Sequence, residues 1–261
     1  MAGRTLVPTL NDRGRQLYSM VRLALGMRSF TRTGQVGDGR EAAARDYVLA
    51  NATAGDPESV LVTIDRFART RSMLVNVGDE KGLILDAAVR RAQPKLLLEL
   101  GTYCGYSAVR SGRLLPGGAR LVSVEFSAAN AEVARAIIAH AGLADRVSVV
   151  VGTIGDGGKT AQQLTAEHGF APGSVDFVFL DHAKEAYLAD LNTMMDNGWL
   201  HPGTIVVADN VKVPGVPDYL AYMRQEQGRT WRTVEHSTHV EYQSILKDLV
   251  LESEYLGKQV P

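Results

Sequence analysis

The stretch Lys95-Leu96-Leu97-Leu98-Glu99-Leu100-Gly101-Thr102-Tyr103-Cys104-Gly105-Tyr106-Ser107 sets the architecture of this chain. An apolar run ends at an acid, passes through a turn carrying two glycines and opens a helical pattern, which is how a strand–loop–helix unit begins. Apolar runs at 120–125, 146–151, 175–181 and 204–209 repeat the theme, and helical windows near 106–115, 128–141, 159–168 and 184–197 separate them. Gly142 and Gly198 stand where C-terminal helix caps belong. Strands alternating with helices predict an α/β fold, a doubly wound parallel sheet with helices on both faces. Beyond Asp209 the pattern predicts a helix at 217–227 and two β segments at 231–237 and 244–251. These would form an antiparallel hairpin, bringing a mostly parallel sheet to seven strands.

Upstream of Lys95 the chain reads as helical. Leu17, Val21, Leu23 and Leu25 make a partly amphipathic stretch, and the glycine-rich segment 34–39 interrupts it before a helical pattern resumes over 41–51. Asp56 is placed to cap a helix that Pro57 opens, with Val60, Ile64 and Phe67 as its apolar stripe. A further helix is expected over 79–91. Residues 1–50 therefore read as a helical N-terminal extension and 51–261 as one catalytic-size domain.

Composition narrows the classes of function. The 261 residues are 45% hydrophobic, enough for a full core, and the formal net charge is −1, so no basic surface points to nucleic acid. Cys104 is the only cysteine, which excludes an internal disulfide and a Cys₂ zinc site and fits a reducing cytoplasm. No run approaches the ~20 apolar residues of a membrane span. Arg4, Arg13, Arg15, Arg22, Arg28 and Arg32 against Asp12 give the first segment a faint transit-peptide character; it is read as a solvated basic helix.

Two acids close neighbouring apolar runs. Asp181 ends Val175-Asp176-Phe177-Val178-Phe179-Leu180, and Asp209-Asn210 ends Thr204-Ile205-Val206-Val207-Ala208. Acids at such strand ends face the crevice where open α/β sheets bind ligands, although single acids after strands also serve as helix caps. Asp181, Asp209 and the Asn210 amide together suit a hard divalent cation, Mg²⁺ before others. Lys184, three residues past Asp181, could act as a general base beside such an ion. In the first loop Gly101 and Gly105 give Gly-x-x-x-Gly, without the third glycine of a dinucleotide fingerprint. That spacing suits a nucleoside without a pyrophosphate better than NAD. Glu125, closing the second strand, can accept both ribose hydroxyls.

Five stretches in order resemble the catechol O-methyltransferase family: Asn76-Val77-Gly78-Asp79-Glu80-Lys81-Gly82, the run from Leu98 to Arg110 around the glycine loop, Phe179-Leu180-Asp181-His182-Ala183-Lys184, Ala208-Asp209-Asn210-Val211 with Val213-Pro214-Gly215, and Glu241-Tyr242. The resemblance covers about 54–251. It implies a class I, Rossmann-like methyltransferase using S-adenosylmethionine and Mg²⁺. By that resemblance Asp181, Asp209 and Asn210 are metal ligands, Lys184 is the general base, and Glu241 holds the second hydroxyl of the acceptor. Val77, Glu99, Gly101, Tyr103, Ser107, Glu125, Asp181 and His182 are its cofactor contacts, and Met73, Ala183 and Pro214 line its substrate pocket. Met73 and Ala183 stand where the family carries tryptophans, and Ile154-Gly155 where it carries a serine–glutamine pair near the adenine. A slot walled by Met73 and Ala183 is wider and more pliable, so these departures bear on which diol is taken.

The reading is a metal-dependent O-methyltransferase that moves the methyl of S-adenosylmethionine to one hydroxyl of a catechol-like vicinal diol. A larger natural-product or sugar-like diol is the alternative within that chemistry. A non-catalytic cofactor-binding protein is disfavoured by the full set of Lys184, Glu241 and metal ligands, and an NAD-dependent dehydrogenase by the missing glycine. The expected partner is a small-molecule diol, with no nucleic acid and no membrane. Residues 1–50 could cover the substrate mouth or mediate homodimer contacts.

Overall fold

A computed structural model describes residues 12–242 and 246–257 of the chain. Four helices come first: α1 (Asp12–Thr33), α2 (Arg40–Asn51), α3 (Pro57–Thr70) and α4 (Gly78–Ala92). The expected alternation follows, with β1 (Leu96–Leu100), α5 (Tyr106–Gly112), β2 (Arg120–Glu125), α6 (Ala128–His140), β3 (Val147–Val151), α7 (Lys159–His168) and β4 (Val175–Leu180). After β4 come α8 (Tyr187–Asp196), β5 (Leu200–Ala208), α9 (Pro217–Gln225), β6 (Trp231–His239) and β7 (Lys247–Tyr255).

The seven strands pair in the order β3-β2-β1-β4-β5-β7-β6. The first five are parallel, and β7 runs antiparallel to both β5 and β6. The α/β class, the mixed sheet and the terminal hairpin are as the sequence predicts. Boundaries differ most in three places. The window at 184–197 divides into a 3₁₀ turn at Lys184–Ala186 and α8. β5 begins earlier than expected, at Leu200, with a register shift against β4 between Val175 and Phe177. β7 extends to Tyr255, whereas Ser244, the expected start of that segment, lies outside the described residues.

Alternation along each strand sends side chains to two cores. Leu97, Leu121, Phe177, Phe179 and Val207 pack towards α2–α6, while Leu98, Val122, Val178, Leu180 and Val206 pack towards α7–α9. This two-sided burial is why the central strands read as nearly continuous apolar runs. Asp56 caps α3 as expected, accepting from the backbone N–H groups of Glu58 and Ser59, with Pro57 in the first turn. Sequence order reverses between β1 and β4, and that reversal opens a crevice beyond their C-terminal ends.

The N-terminal helices pack onto the same end of the sheet. Asn130 on α6 donates to the Gly34 carbonyl at 2.8 Å, and the ring of Phe30 meets Tyr103 edge-on at 5.7 Å. Among the described residues no helix is long and apolar enough to cross a membrane.

Candidate active site

At the β1 side of the crevice the chain turns sharply. Gly101 has φ of 99°, and a Cβ there would lie 2.4 Å from the Asp181 carbonyl oxygen. Gly105 has φ of 84° and faces Ala134 of α6. Both glycines thus let two parts of the chain meet, a demand of the fold itself and separate from any ligand. The turn leaves backbone N–H groups pointing at β2. Glu125 Oε2 accepts from Thr102 N at 3.2 Å and Tyr103 N at 2.8 Å, and Oε1 accepts from Ser127 N at 2.9 Å. Burial pushes the Glu125 carboxyl up, and these three donors pull against it.

Glu99, at the end of β1, is fully buried. Ser123 Oγ donates to its Oε1 at 2.6 Å, while Oε2 has no partner. Burial raises its pKa to about 8, with the hydroxyls of Ser123 and Ser107 pulling it down. Tyr103 has φ of 46°, and its hydroxyl donates to Glu41 Oε1 at 3.0 Å. Val77 is buried at the start of α4. His182 stacks on Tyr187 at 4.9 Å and places Nε2 3.0 Å from Asp190, leaving Nδ1 buried without a partner.

On the other side Asp181 and Asp209 sit one step beyond the paired ends Leu180 and Ala208 of adjacent parallel strands. Lys184 Nζ reaches Asp181 Oδ1 at 2.8 Å and the Tyr187 hydroxyl at 2.8 Å. Asp209 is completely buried; Oδ1 accepts from Asn210 N at 2.7 Å and meets Lys81 Nζ at 2.7 Å, whereas Oδ2 has no partner. Burial lifts the Asp209 carboxyl towards about 7, and the Lys81 ammonium opposes that. Asn210 adopts φ of 55°, and its Nδ2 donates to Glu241 Oε1 and Asp248 Oδ2, each at 3.0 Å. The amide nitrogen is therefore committed to acids, which leaves the amide oxygen as the atom to offer a cation.

A buried carboxylate oxygen without a donor, beside an amide whose nitrogen is turned away and a second carboxylate from the next strand, is an oxygen-rich donor set of the kind hard cations take. The residues fit.

Glu241 is drawn in from the hairpin end. Lys81 contacts its carboxylate closely, and Gly78, at φ of 69°, lies against its Cβ. The next residue is anchored: the Tyr242 hydroxyl lies 3.0 Å from Asp65 Oδ1 and 2.8 Å from Asn76 Oδ1. Ala183 is exposed. Met73 is buried, with its backbone N–H donating to Ser19 Oγ at 2.6 Å and its carbonyl accepting from Arg40 at 2.5 Å. Pro214 lines an open cleft of about 590 Å³ together with Lys212, Leu220, Lys247 and Leu249.

Two residues missed from sequence complete the cluster. Lys81 and Asp248 are both buried, and the oxygens of Asp209, Glu241 and Asp248 lie within 4.8 Å of one another. The signals were present. Lys81 is in register with Leu85 and Val89 on the buried stripe of α4, and Asp248 shares the inward face of β7 with Val250.

A doubly wound sheet with this strand order and hairpin is the architecture of class I S-adenosylmethionine-dependent O-methyltransferases. The sequence matches the O-methyltransferase family over residues 53–227, and the chain belongs to that family. It is 66% identical over 235 residues to a probable O-methyltransferase of Mycobacterium tuberculosis, across 90% of this chain and 100% of that protein. Catechol O-methyltransferase B of Danio rerio is 47% identical over 210 residues, covering 80% of this chain and 76% of its own length. Among solved structures, the O-methyltransferase TomG of Streptomyces achromogenes, involved in tomaymycin synthesis and in complex with S-adenosylmethionine, superposes with a TM-score of 0.61 at 25% identity, covering 76% of this chain and 89% of that one. The chain is an S-adenosylmethionine-dependent O-methyltransferase.

Proposed function

We propose that this enzyme methylates one hydroxyl of a catechol-like vicinal diol, with a divalent cation, Mg²⁺ first, held by Asp181, Asp209 and Asn210. The observation that carries this reading is the partnerless, buried Oδ2 of Asp209 beside a lysine-bound Asp181. Relatives named catechol O-methyltransferase support the acceptor class. When bound, the sulfonium supplies an electrophilic methyl, and the cation lowers the pKa of a coordinated phenol from ~10.

The remaining roles belong to the chain. Glu125, held by three backbone donors, presents its carboxylate to the ribose, and Glu99 offers its free oxygen to the positively charged end of the cofactor. Val77, Gly101, Tyr103, Ser107 and His182 complete that wall. Lys184 takes the proton of the attacking hydroxyl at Nζ, a role worth about 10²–10⁴-fold. Glu241 accepts from the neighbouring hydroxyl and so fixes which oxygen attacks. Residues 51–261 form the methyltransferase domain, and residues 1–50 extend it.

A second reading enlarges the acceptor. The exposure of Ala183 favours a diol bulkier than catechol. The test is methyl transfer from labelled S-adenosylmethionine to a graded panel of diols, with and without excess EDTA. Turnover is expected to vanish with the chelator and return with Mg²⁺; equal rates in EDTA would refute metal dependence. The panel's rank order separates the small acceptor from the large.

A further inference from the structure

Lys81 has no task in the scheme above, yet it is among the largest fully buried side chains of the protein. Its ammonium meets Asp209 Oδ1 at 2.7 Å, Asp248 Oδ2 at 3.2 Å and Glu241 in a close contact. Three carboxylates around one nitrogen favour its charged form. Asp248 is itself fixed from behind, its Oδ1 accepting from the backbone N–H groups of Val213 at 3.0 Å and Lys212 at 3.2 Å. Oxygens from three carboxylates within 4.8 Å of one another make a cage that would suit a divalent ion as well as an ammonium. A buried charge cluster of this kind is weak as a device for stability, because well-packed apolar residues would serve at least as well.

We propose that Lys81 is a positioning residue: a tethered cation filling the place between Asp209, Glu241 and Asp248 that a second metal ion would otherwise take, so that the site holds one divalent ion. This rests on the reading that Asp181, Asp209 and Asn210 hold that ion. Two consequences follow from the contacts. Lys81 occupies Asp209 Oδ1, so Asp209 can offer only the partnerless Oδ2. Lys81 and Asn210 Nδ2 both engage Glu241 Oε1, which restrains Glu241 from turning to the ion and keeps it available to an acceptor hydroxyl.

The test is titration of Mn²⁺ into metal-free protein, following unbound ion by its electron paramagnetic resonance signal. One ion per chain is expected for the wild type and for Lys81→Arg, and two for Lys81→Met. A Lys81→Met protein that takes up one ion with wild-type affinity overturns the proposal. A wild type that binds none removes the metal reading itself, a result distinct from the first. Should Lys81→Met fold only when Mn²⁺ is supplied, that rescue supports the tethered-cation role. Should it not fold at all, Lys81→Met/Asp248→Asn, which removes one acid with the cation, carries the comparison. There a single ion bound at least fivefold more weakly is expected, because Asp209 is no longer held, and unchanged affinity overturns the proposal.

Discussion

On the β1–β2 side of the crevice two carboxylates are buried without any basic side chain: Glu99 meets serine hydroxyls and Glu125 meets backbone N–H groups. On the β4–β5 side the two strand-end carboxylates each meet a lysine, Lys184 at Asp181 and, shared with Glu241 and Asp248, Lys81 at Asp209. The same residue type is thus maintained by opposite means a few strands apart. The first side has no cation of its own and is matched to a ligand that arrives positively charged, as S-adenosylmethionine does. The second side is only partly compensated from within, four carboxylates against two lysines, and its contacts form without a ligand. Burial raises the carboxyl pKa on both sides, at Glu99 and Glu125 opposed only by hydroxyls, amides and N–H groups and at Asp209 opposed by the Lys81 ammonium, so removing a lysine should disturb the second side alone.

The largest expected effect is on the lysine-paired side. Lys184→Ala should lower kcat by about 10²–10⁴-fold, the span of a lost general base. Affinity for S-adenosylmethionine, measured by calorimetry, should stay within about twofold, since Lys184 contacts Asp181 and Tyr187 and neither Glu99 nor Glu125. A matching loss of cofactor affinity would show that the two sides are one electrostatic unit.

Next in size is Glu99→Gln, which probes the unpaired side through pH. The folded pKa of about 8 lies above the ordinary value of 4.5. Between those values the native protein binds a proton that the unfolded chain does not, so cofactor-free stability falls as pH rises from about 5 to 8. Glutamine removes that dependence. The melting temperature of Glu99→Gln should exceed that of the wild type at pH 8, by several degrees for a difference of at most ~4 kcal/mol, and converge with it near pH 5. Adding S-adenosylmethionine should reverse the order, because the wild type alone gains from ionising Glu99 against a cation. A variant equal to the wild type at both pH values would remove the distinction between the sides.

The same division explains what could be read from sequence. Strand ends are legible because an acid closing an apolar run is a local pattern: Asp181, Asp209 and Glu125 all declare themselves that way, and the glycine turn marks β1. The sheet class follows from repetition of that pattern. The cluster behind Asp209 is less legible because it is assembled from α4, the β5 end and β7, distant in sequence and joined only by folding. A lysine on an apolar helical stripe and an acid at an inward strand position are each weak signals alone, and only together do they disclose an internal ion pair. The pinning of Met73 by Ser19 and Arg40 is likewise invisible locally, since it depends on how α1 and α2 lie over the sheet.

That pinning supplies the smallest effect and the finest test of the comparison. The N-terminal helices touch both sides by different residues: Glu41 of α2 accepts from Tyr103 in the donor loop, while Ser19 of α1 accepts from Met73 on the proposed acceptor wall. Ser19→Ala strips a buried backbone N–H of its acceptor, a loss on the order of 1 kcal/mol. If α1 shapes only the acceptor side, the freed Met73 segment should raise the acceptor KM by up to about fivefold, the same energy expressed as binding. The kcat and the affinity for S-adenosylmethionine should then hold steady. A shift in cofactor affinity with an unchanged acceptor KM would instead tie α1 to the Glu99–Glu125 side, through the contact of Phe30 with Tyr103.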